Sequence, residues 1–161
     1  MINQRCHSLI IGGTGQFGIT LKNQLNKKKE KVIITSRFKK FKIKKKLFEI
    51  IVLDIFNKKK IIQIIKKYKP QYIFYFAGQS SPRISFVKKN ETVRSNYLGA
   101  KNVLDSIYKV DRTINFIYAA SSEMYGKING KISIKSRKNP INPYGVAKLK
   151  GFNITKAYRE K

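Results

Sequence analysis

From residue 8 onward, apolar and polar positions fall into blocks with two alternating rhythms. SLIIGG, residues 8–13, is a short continuous apolar run halted by a glycine pair, the pattern of a buried strand ending in a turn. Behind it Phe17, Leu21 and Leu25 recur at four-residue spacing, which predicts a helix over residues 15–28. The alternation then repeats: KVIITS (31–36) and FEIIVLD (48–54) read as strands, and KKKIIQIIKKYKP (58–70) reads as a helix stopped by Pro70. QYIFYFAG (71–78) is a fourth strand and TINFIYAA (113–120) a fifth. Between them NETVRSNYLGAKNVLDSIYKV (90–110) predicts a long helix with Val93, Tyr97, Ala100, Val103, Leu104 and Ile107 on one side. PYGVAKLKGFNITKAYREK (143–161) closes the chain as a helix with Pro143 in its first turn.

The strands are apolar throughout rather than every second residue, the mark of a parallel sheet covered on both faces. Alternating strand and helix therefore predict a doubly wound α/β fold of the Rossmann type. No internal repeat, linker or boundary interrupts residues 1–161, so one domain is expected. RFKKFKIKKK (37–46) is the most loop-like segment, with room for a short irregular helix.

Composition narrows the chemistry. The 161 residues are 42% apolar, enough for one sizeable core. No apolar run approaches a membrane span, and MINQRCHSLIIGG lacks the features of a signal peptide, so a soluble cytoplasmic protein without a membrane partner is expected. Cys6 and His7 are the only residues of their types, which removes disulfide frameworks and metal sites built from them and argues against Ser-His-Asp or Cys-His catalysis. Acid–base work falls to Tyr, Lys, Glu or Asp. Cys6 reads as a small packing residue and His7 as the start of a strand.

Thirty-six Lys and Arg against eight Asp and Glu give a net charge of +28. The lysines are spread over helix faces and loops beside many Ile and Asn, as a biased codon usage would produce, so no specific nucleic-acid partner is expected. A non-catalytic NADP-binding module or a basic nucleic-acid-binding module is the alternative of another class. The sequence offers the second no aromatic-basic RNA motif or zinc pattern.

GGTGQFG places Gly12, Gly15 and Gly18 three apart, directly after the first strand and opening the first helix. Glycine suits a sharp turn, a close backbone approach to a pyrophosphate and tight helix packing, while helix N–H groups hold the anion. In that context the motif predicts dinucleotide binding. At the end of the second strand stand Ser36 and Arg37 instead of an acidic residue, which points to NADP rather than NAD. Asp54, closing the third strand, is a candidate for the adenine amino group or a cap for the helix behind it.

Tyr144 and Lys148 stand at i and i+4 and project from one helix face, where an ammonium favours the phenolate and prepares a base. Ser121 and Glu123 follow the fifth strand at its carboxyl end, the side on which ligands bind in such sheets.

Together GGTGQFG, YFAGQSSPRISF, SNYLGAKNVLDSI, AASSEMYGKING and NPYGVAKLKGF resemble the extended short-chain dehydrogenase/reductase family, and within it the GDP-mannose 4,6-dehydratases. The resemblance covers nearly the whole chain. It implies a lyase using tightly bound NADP, with GDP-mannose or another nucleotide sugar as substrate. Tyr144 would deprotonate the hexose 4-hydroxyl, Lys148 would lower its pKa and hold the nicotinamide ribose, Ser121 would hydrogen-bond the same hydroxyl where relatives have Thr, and Glu123 would remove the C5 proton. The implied cofactor set is Gly12, Thr14, Gly15, Gln16, Phe17, Gly18, Arg37, Asp54, Ile55, Phe76, Ala77 and Gln79, with Tyr144 and Lys148. Another NAD(P)-dependent dehydratase or 4-epimerase of nucleotide sugars is the second reading. Tyr75 and Ser81 stand where the family has Asn and His. The family also continues into a carboxyl-terminal, substrate-gripping region that is expected to be absent here, and it often assembles through its long helix, which makes a homo-oligomer an expectation.

Overall fold

The computed structural model describes residues 6–38 and 48–161. The lysine-rich segment considered above for an irregular helix lies largely outside the described residues. The chain forms two compact units, one made of Met1–Ala77 with Asn102–Ile117 and the other of Gly78–Lys101 with Tyr118–Lys161.

In the first unit, strands β1 (Ser8–Ile11), β2 (Val32–Ser36), β3 (Phe48–Val52) and β4 (Tyr72–Tyr75) are joined by β5 (Asn115–Tyr118) in the order β3-β2-β1-β4-β5. β1 pairs in parallel with both β2 and β4, Leu9 facing Ile33 on one side and Ile73 on the other. β2 pairs in parallel with β3, Ile34 opposite Ile50. Every residue of β1 and β2 is buried, as continuous apolar runs in central parallel strands require. The edge strand β3 is only partly covered.

Helix α1 (Gln16–Lys27) packs on β1 and β2, and Leu21 and Leu25 lie against the cluster of Ile10, Val32 and Ile34. Phe17 leaves the expected stripe: it is 73% exposed, because at the first turn the buried position is taken by Gly18. Helix α2 (Lys58–Tyr68) buries Ile61, Ile64, Ile65 and Tyr68, the spacing of one helical face. Each isoleucine so buried contributes roughly 1.5–3 kcal/mol. The helix ends where Lys69 turns left-handed at φ 42°, just before Pro70. Asn57 is its cap, accepting from the Lys60 N–H at 2.9 Å, and Asp54 is not.

Cys6 and His7 lead into β1. Cys6 is buried, and burial pushes its thiol up to about 11. His7 Nδ1 lies 2.7 Å from Glu30 Oε2 and 3.0 Å from Ser8 Oγ at the start of β1.

The second unit holds α3 (Pro82–Val87), α4 (Lys89–Val93), a π-helical turn (Arg94–Leu98), the start of α5 (Gly99–Val110), a 3-10 turn (Ser122–Met124) and α6 (Pro143–Arg159). α6 packs against α3, α4, the π-helical turn and the 3-10 turn. In the long helix the buried residues here are Thr92, Asn96, Gly99 and Ala100, while the expected Val93 and Tyr97 are half-buried. Asn96 Nδ2 donates to the Thr92 carbonyl at 3.0 Å and to the Gln79 carbonyl at 2.9 Å. Its amide thus competes for the carbonyl a regular helix would use at that point, and the turn widens where it does so.

No helix among the described residues is long and apolar enough to cross a membrane. None of the described residues forms a His, Cys, Asp or Glu group able to hold a metal ion.

Candidate functional site

The glycine turn lies in the first unit. β1 ends at Ile11, and Gly12 turns left-handed at φ 82°. A Cβ at Gly12 would stand 2.6 Å from the Ala77 nitrogen, so the turn and the end of β4 touch backbone to backbone. Gly13 N–H donates to the Thr35 carbonyl at 3.1 Å, which ties the turn to β2. At Gly18 a Cβ would collide with Gly13 Cα and lie 2.7 Å from the Gly12 carbonyl oxygen, so this glycine lets α1 lie close on the turn.

Gly15 is different. Its backbone is extended at φ −78° and ψ 169°, and a Cβ there would meet only the Gly12 oxygen at 3.4 Å. Nothing among the described residues requires that glycine. It caps α1 without a side chain, so the first-turn N–H groups receive no side-chain cap. An anion approaching the backbone would use both features. Thr14 is half-buried beside this glycine and Gln16 is exposed at the helix start. The Phe17 ring lies 6.3 Å from that of Phe76, whose N–H donates to the Ile11 carbonyl.

At the end of β2, Ser36 is buried and its Oγ accepts from the Phe38 N–H at 3.1 Å. Arg37 is exposed, its guanidinium 4.9 Å from the Phe38 ring centre. Asp54 is also exposed and its Oδ1 accepts from the Phe56 N–H at 2.9 Å, closing a turn after β3. The Ile55 carbonyl accepts from Asn102 Nδ2 at 3.1 Å, a tie from α5 that the sequence did not announce. Gly12, Thr14, Gly15, Gln16, Phe17, Gly18, Arg37, Asp54, Ile55, Phe76 and Ala77 all belong to this unit.

Gln79, Ser121, Glu123, Tyr144 and Lys148 belong to the other. Gln79 is engaged inside its own loop: Nε2 donates to the Ser81 carbonyl at 2.8 Å and Oε1 accepts from Thr92 Oγ1 at 3.3 Å. Ser81, where the family has His, caps α3 by accepting from the Ile84 N–H. Tyr75, in the place of the family's Asn, is buried with its ring 6.2 Å from Phe116.

Three segments converge on the start of α6. Asn142 is its cap, with Oδ1 accepting from the Gly145 N–H at 2.8 Å and Nδ2 donating to Glu123 Oε2 at 2.6 Å. One amide therefore opens the helix that carries Tyr144 and holds the carboxylate of Glu123. Ser85, fully buried on α3, accepts from the Tyr144 N–H at 3.1 Å and donates to the Pro82 carbonyl. Ser121 Oγ accepts from the Glu123 N–H at 3.3 Å and caps the 3-10 turn. Two first-turn N–H groups of α6 are thus satisfied by side chains.

Tyr144 and Lys148 are each 8% exposed. Lys148 Nζ lies 5.6 Å from the centre of the Tyr144 ring and donates to the Ala119 carbonyl at 2.8 Å. Burial lowers its pKa to about 8. An ammonium held there can release its proton close to neutrality. Asn142 before Pro143 carried a readable cap signal, whereas Ser85 had none, since its partner is 59 residues away.

The sheet with its glycine turn belongs to one unit, and the buried Tyr144 and Lys148 with the carboxylate of Glu123 belong to the other. The chain belongs to the GDP-mannose 4,6 dehydratase family, whose model matches residues 9–161. It is 30% identical over 115 residues to GDP-mannose 4,6 dehydratase of Drosophila melanogaster, covering 66% of this chain and 28% of that one. It is 25% identical over 159 residues to UDP-glucose 4-epimerase of Mycoplasma genitalium, covering 92% of this chain and 47% of the relative. In fold it matches the crystal structure of UDP-glucose 4-epimerase from Brucella ovis in complex with NAD, with TM-score 0.88 and 24% identity, over 96% of this chain and 48% of that one. The chain spans about half or less of these relatives' lengths.

Proposed function

We propose that this chain is the cofactor-binding and catalytic part of a nucleotide-sugar 4,6-dehydratase acting on GDP-mannose with NADP. The observation that carries the reading is Glu123, a carboxylate held by Asn142 at 2.6 Å beside the helix that bears Tyr144 and Lys148. An epimerase or simple reductase has no need of a base at that place, and a dehydratase must remove a proton from C5.

The turn suits a dinucleotide, because Gly15 is left bare with no internal cause. Its pyrophosphate would rest on the first-turn N–H groups of α1, with Phe17 and Phe76 beside it, and the 2′-phosphate of NADP would meet Arg37. Asp54 and Ile55 would take the adenine. Tyr144 and Lys148 would hold the nicotinamide ribose. The bound cofactor supplies a hydride acceptor that returns the hydride within one cycle.

The residues' own work is proton transfer and positioning. Tyr144 accepts the proton of the sugar 4-hydroxyl, which Ser121 orients by hydrogen bond. Lys148 places its positive charge at the Tyr144 ring. Once C4 is a ketone, Glu123 takes the acidified C5 proton and passes it to the departing C6 hydroxyl, which leaves as water.

The resemblance to UDP-glucose 4-epimerases supports a second reading, inversion at C4 of a uridine sugar without loss of water. Product analysis separates the two. The chain is titrated with NADPH and NADH by fluorescence, then incubated with NADP and GDP-mannose. A 4-keto-6-deoxy product that disappears with Glu123→Gln supports the dehydratase, whereas a C4 epimer supports the second reading. A folded sample with no saturable binding of either nucleotide overturns both.

A further inference from the structure

Tyr118, the last residue of β5, has no part in the reading above, yet it is built into the wall of the Tyr144–Lys148 site. Its hydroxyl donates to the Asn96 carbonyl at 2.8 Å, in the π-helical turn. Its tip occupies the space beside Gly151, where a Cβ would collide with the tyrosine oxygen, one turn along α6 from Lys148. Lys148 Nζ stands 5.1 Å from the centre of the Tyr118 ring and 5.6 Å from that of Tyr144. The same ammonium donates to the carbonyl of Ala119, the next residue after Tyr118.

We propose that Tyr118 is a positioning residue: its ring, fixed at the tip by Asn96 and Gly151, holds the Lys148 ammonium on the Ala119 carbonyl and at the face of Tyr144. A buried ammonium has lost most of its water, and the negative faces of two aromatic rings replace part of it. A ring free to swing would leave the charge free to wander from Tyr144. Contact of the ring tip with Gly151 prevents this, and the hydroxyl bond to Asn96 adds stability and is durable. Burial, then the neighbouring Tyr144, pushes the Tyr118 hydroxyl far above the ordinary phenol range, so it stays a donor while Lys148 titrates. Among the described residues, the titratable side chains whose rings the ammonium faces are Tyr118 on β5 and Tyr144 on α6.

The proposal rests on the reading of Tyr144 and Lys148 as a working pair, but its test needs no cofactor. The full chain is prepared with 13Cε-labelled lysine, and Lys148 is identified by its early titration and its loss in Lys148→Met. Tyr118→Leu, which removes the ring, is expected to raise the acid dissociation constant of Lys148 about three- to tenfold. Tyr118→Phe keeps the ring and is expected to stay within about twofold of the parent chain, with lower stability from the lost bond to Asn96. A residue that merely filled space would alter stability in both variants and leave the Lys148 titration where it is. An unshifted titration in Tyr118→Leu, or a shift as large in Tyr118→Phe, overturns the proposal. Should Tyr118→Leu not fold, Tyr118→Met replaces it under the same criterion. NADPH titration of the parent chain runs in parallel. Loss of cofactor binding there with the expected lysine shifts would overturn the function and leave the positioning role standing.

Discussion

Replacing Lys148 by Met tests how the site is maintained, because the magnitude follows from one group. Burial brings Lys148 from 10.5 to about 8. A difference of that size between the folded and unfolded chain corresponds to roughly 3 kcal/mol. The sign follows from proton binding. The unfolded lysine holds its proton more tightly, so between pH 8 and 10.5 unfolding takes up a proton and stability rises with pH. Below that window both states are charged, and the whole cost of burying the ammonium falls on the folded state. Methionine of similar length carries no such cost, although it leaves the Ala119 carbonyl without its donor, a loss of about 1–3 kcal/mol at every pH. That loss sets the absolute difference and cancels from its pH dependence. Urea unfolding of both chains at several pH values should therefore show Lys148→Met losing ground to the parent by roughly 2–3 kcal/mol from pH 7 to pH 10. A difference constant to within about 0.5 kcal/mol across that range would refute the reasoning, for the lysine would then titrate alike in both states.

The glycines of the turn should separate by role. Gly15→Ala is expected to keep stability within about 1 kcal/mol and to weaken NADPH binding at least about tenfold, while Gly18→Ala costs about 1–3 kcal/mol by forcing α1 off the turn. Thermal unfolding and fluorescence titration of the two variants check this together. Asn142→Ala should lose about 1–2 kcal/mol of cap stability in urea, and Asn142→Ser should recover most of that without restoring the bond to Glu123. Product formation from GDP-mannose should then stay low in both variants. Arg37→Ala should weaken NADPH binding about tenfold and leave NADH binding nearly unchanged, as titration of both nucleotides would show.

The sheet and its main helices were legible because burial imposes a period on the sequence. β1 and β2 are apolar at every position and buried at every position, and α2 buries the face its isoleucines mark. What escaped was governed by contacts distant in the chain or by elements too short to show a period. α3 has six residues, and only Ser81 before Pro82 announced it. The stripe of the long helix was read through Val93 and Tyr97, yet the chain buries Thr92 and Asn96, whose side chains bond to the Gln79 residue. A hydrophobicity rule passes over such positions because their polar atoms are satisfied by a loop more than ten residues away. Asp54 and Asn57 are both plausible caps by residue type, and only the hydrogen bond to Lys60 decides between them.

The candidate site divides in the same way. Spacing gives Gly12, Gly15 and Gly18 equal weight, but only Gly15 lacks an internal cause in the folded chain. A glycine that folding leaves unexplained is the one the proposed dinucleotide would use. The catalytic candidates show the converse. Glu123, Tyr144 and Lys148 are each fastened to a partner of little note in the sequence: Asn142, the Ser85 hydroxyl and the Ala119 carbonyl. Each partner satisfies a polar group that would otherwise destabilise the fold, so a structural reason exists for every fastening. The burial that depresses the one lysine in this cluster nevertheless works against stability at neutral pH. That imbalance, more than the spacing from Tyr144, is what supports the proposed role of Lys148.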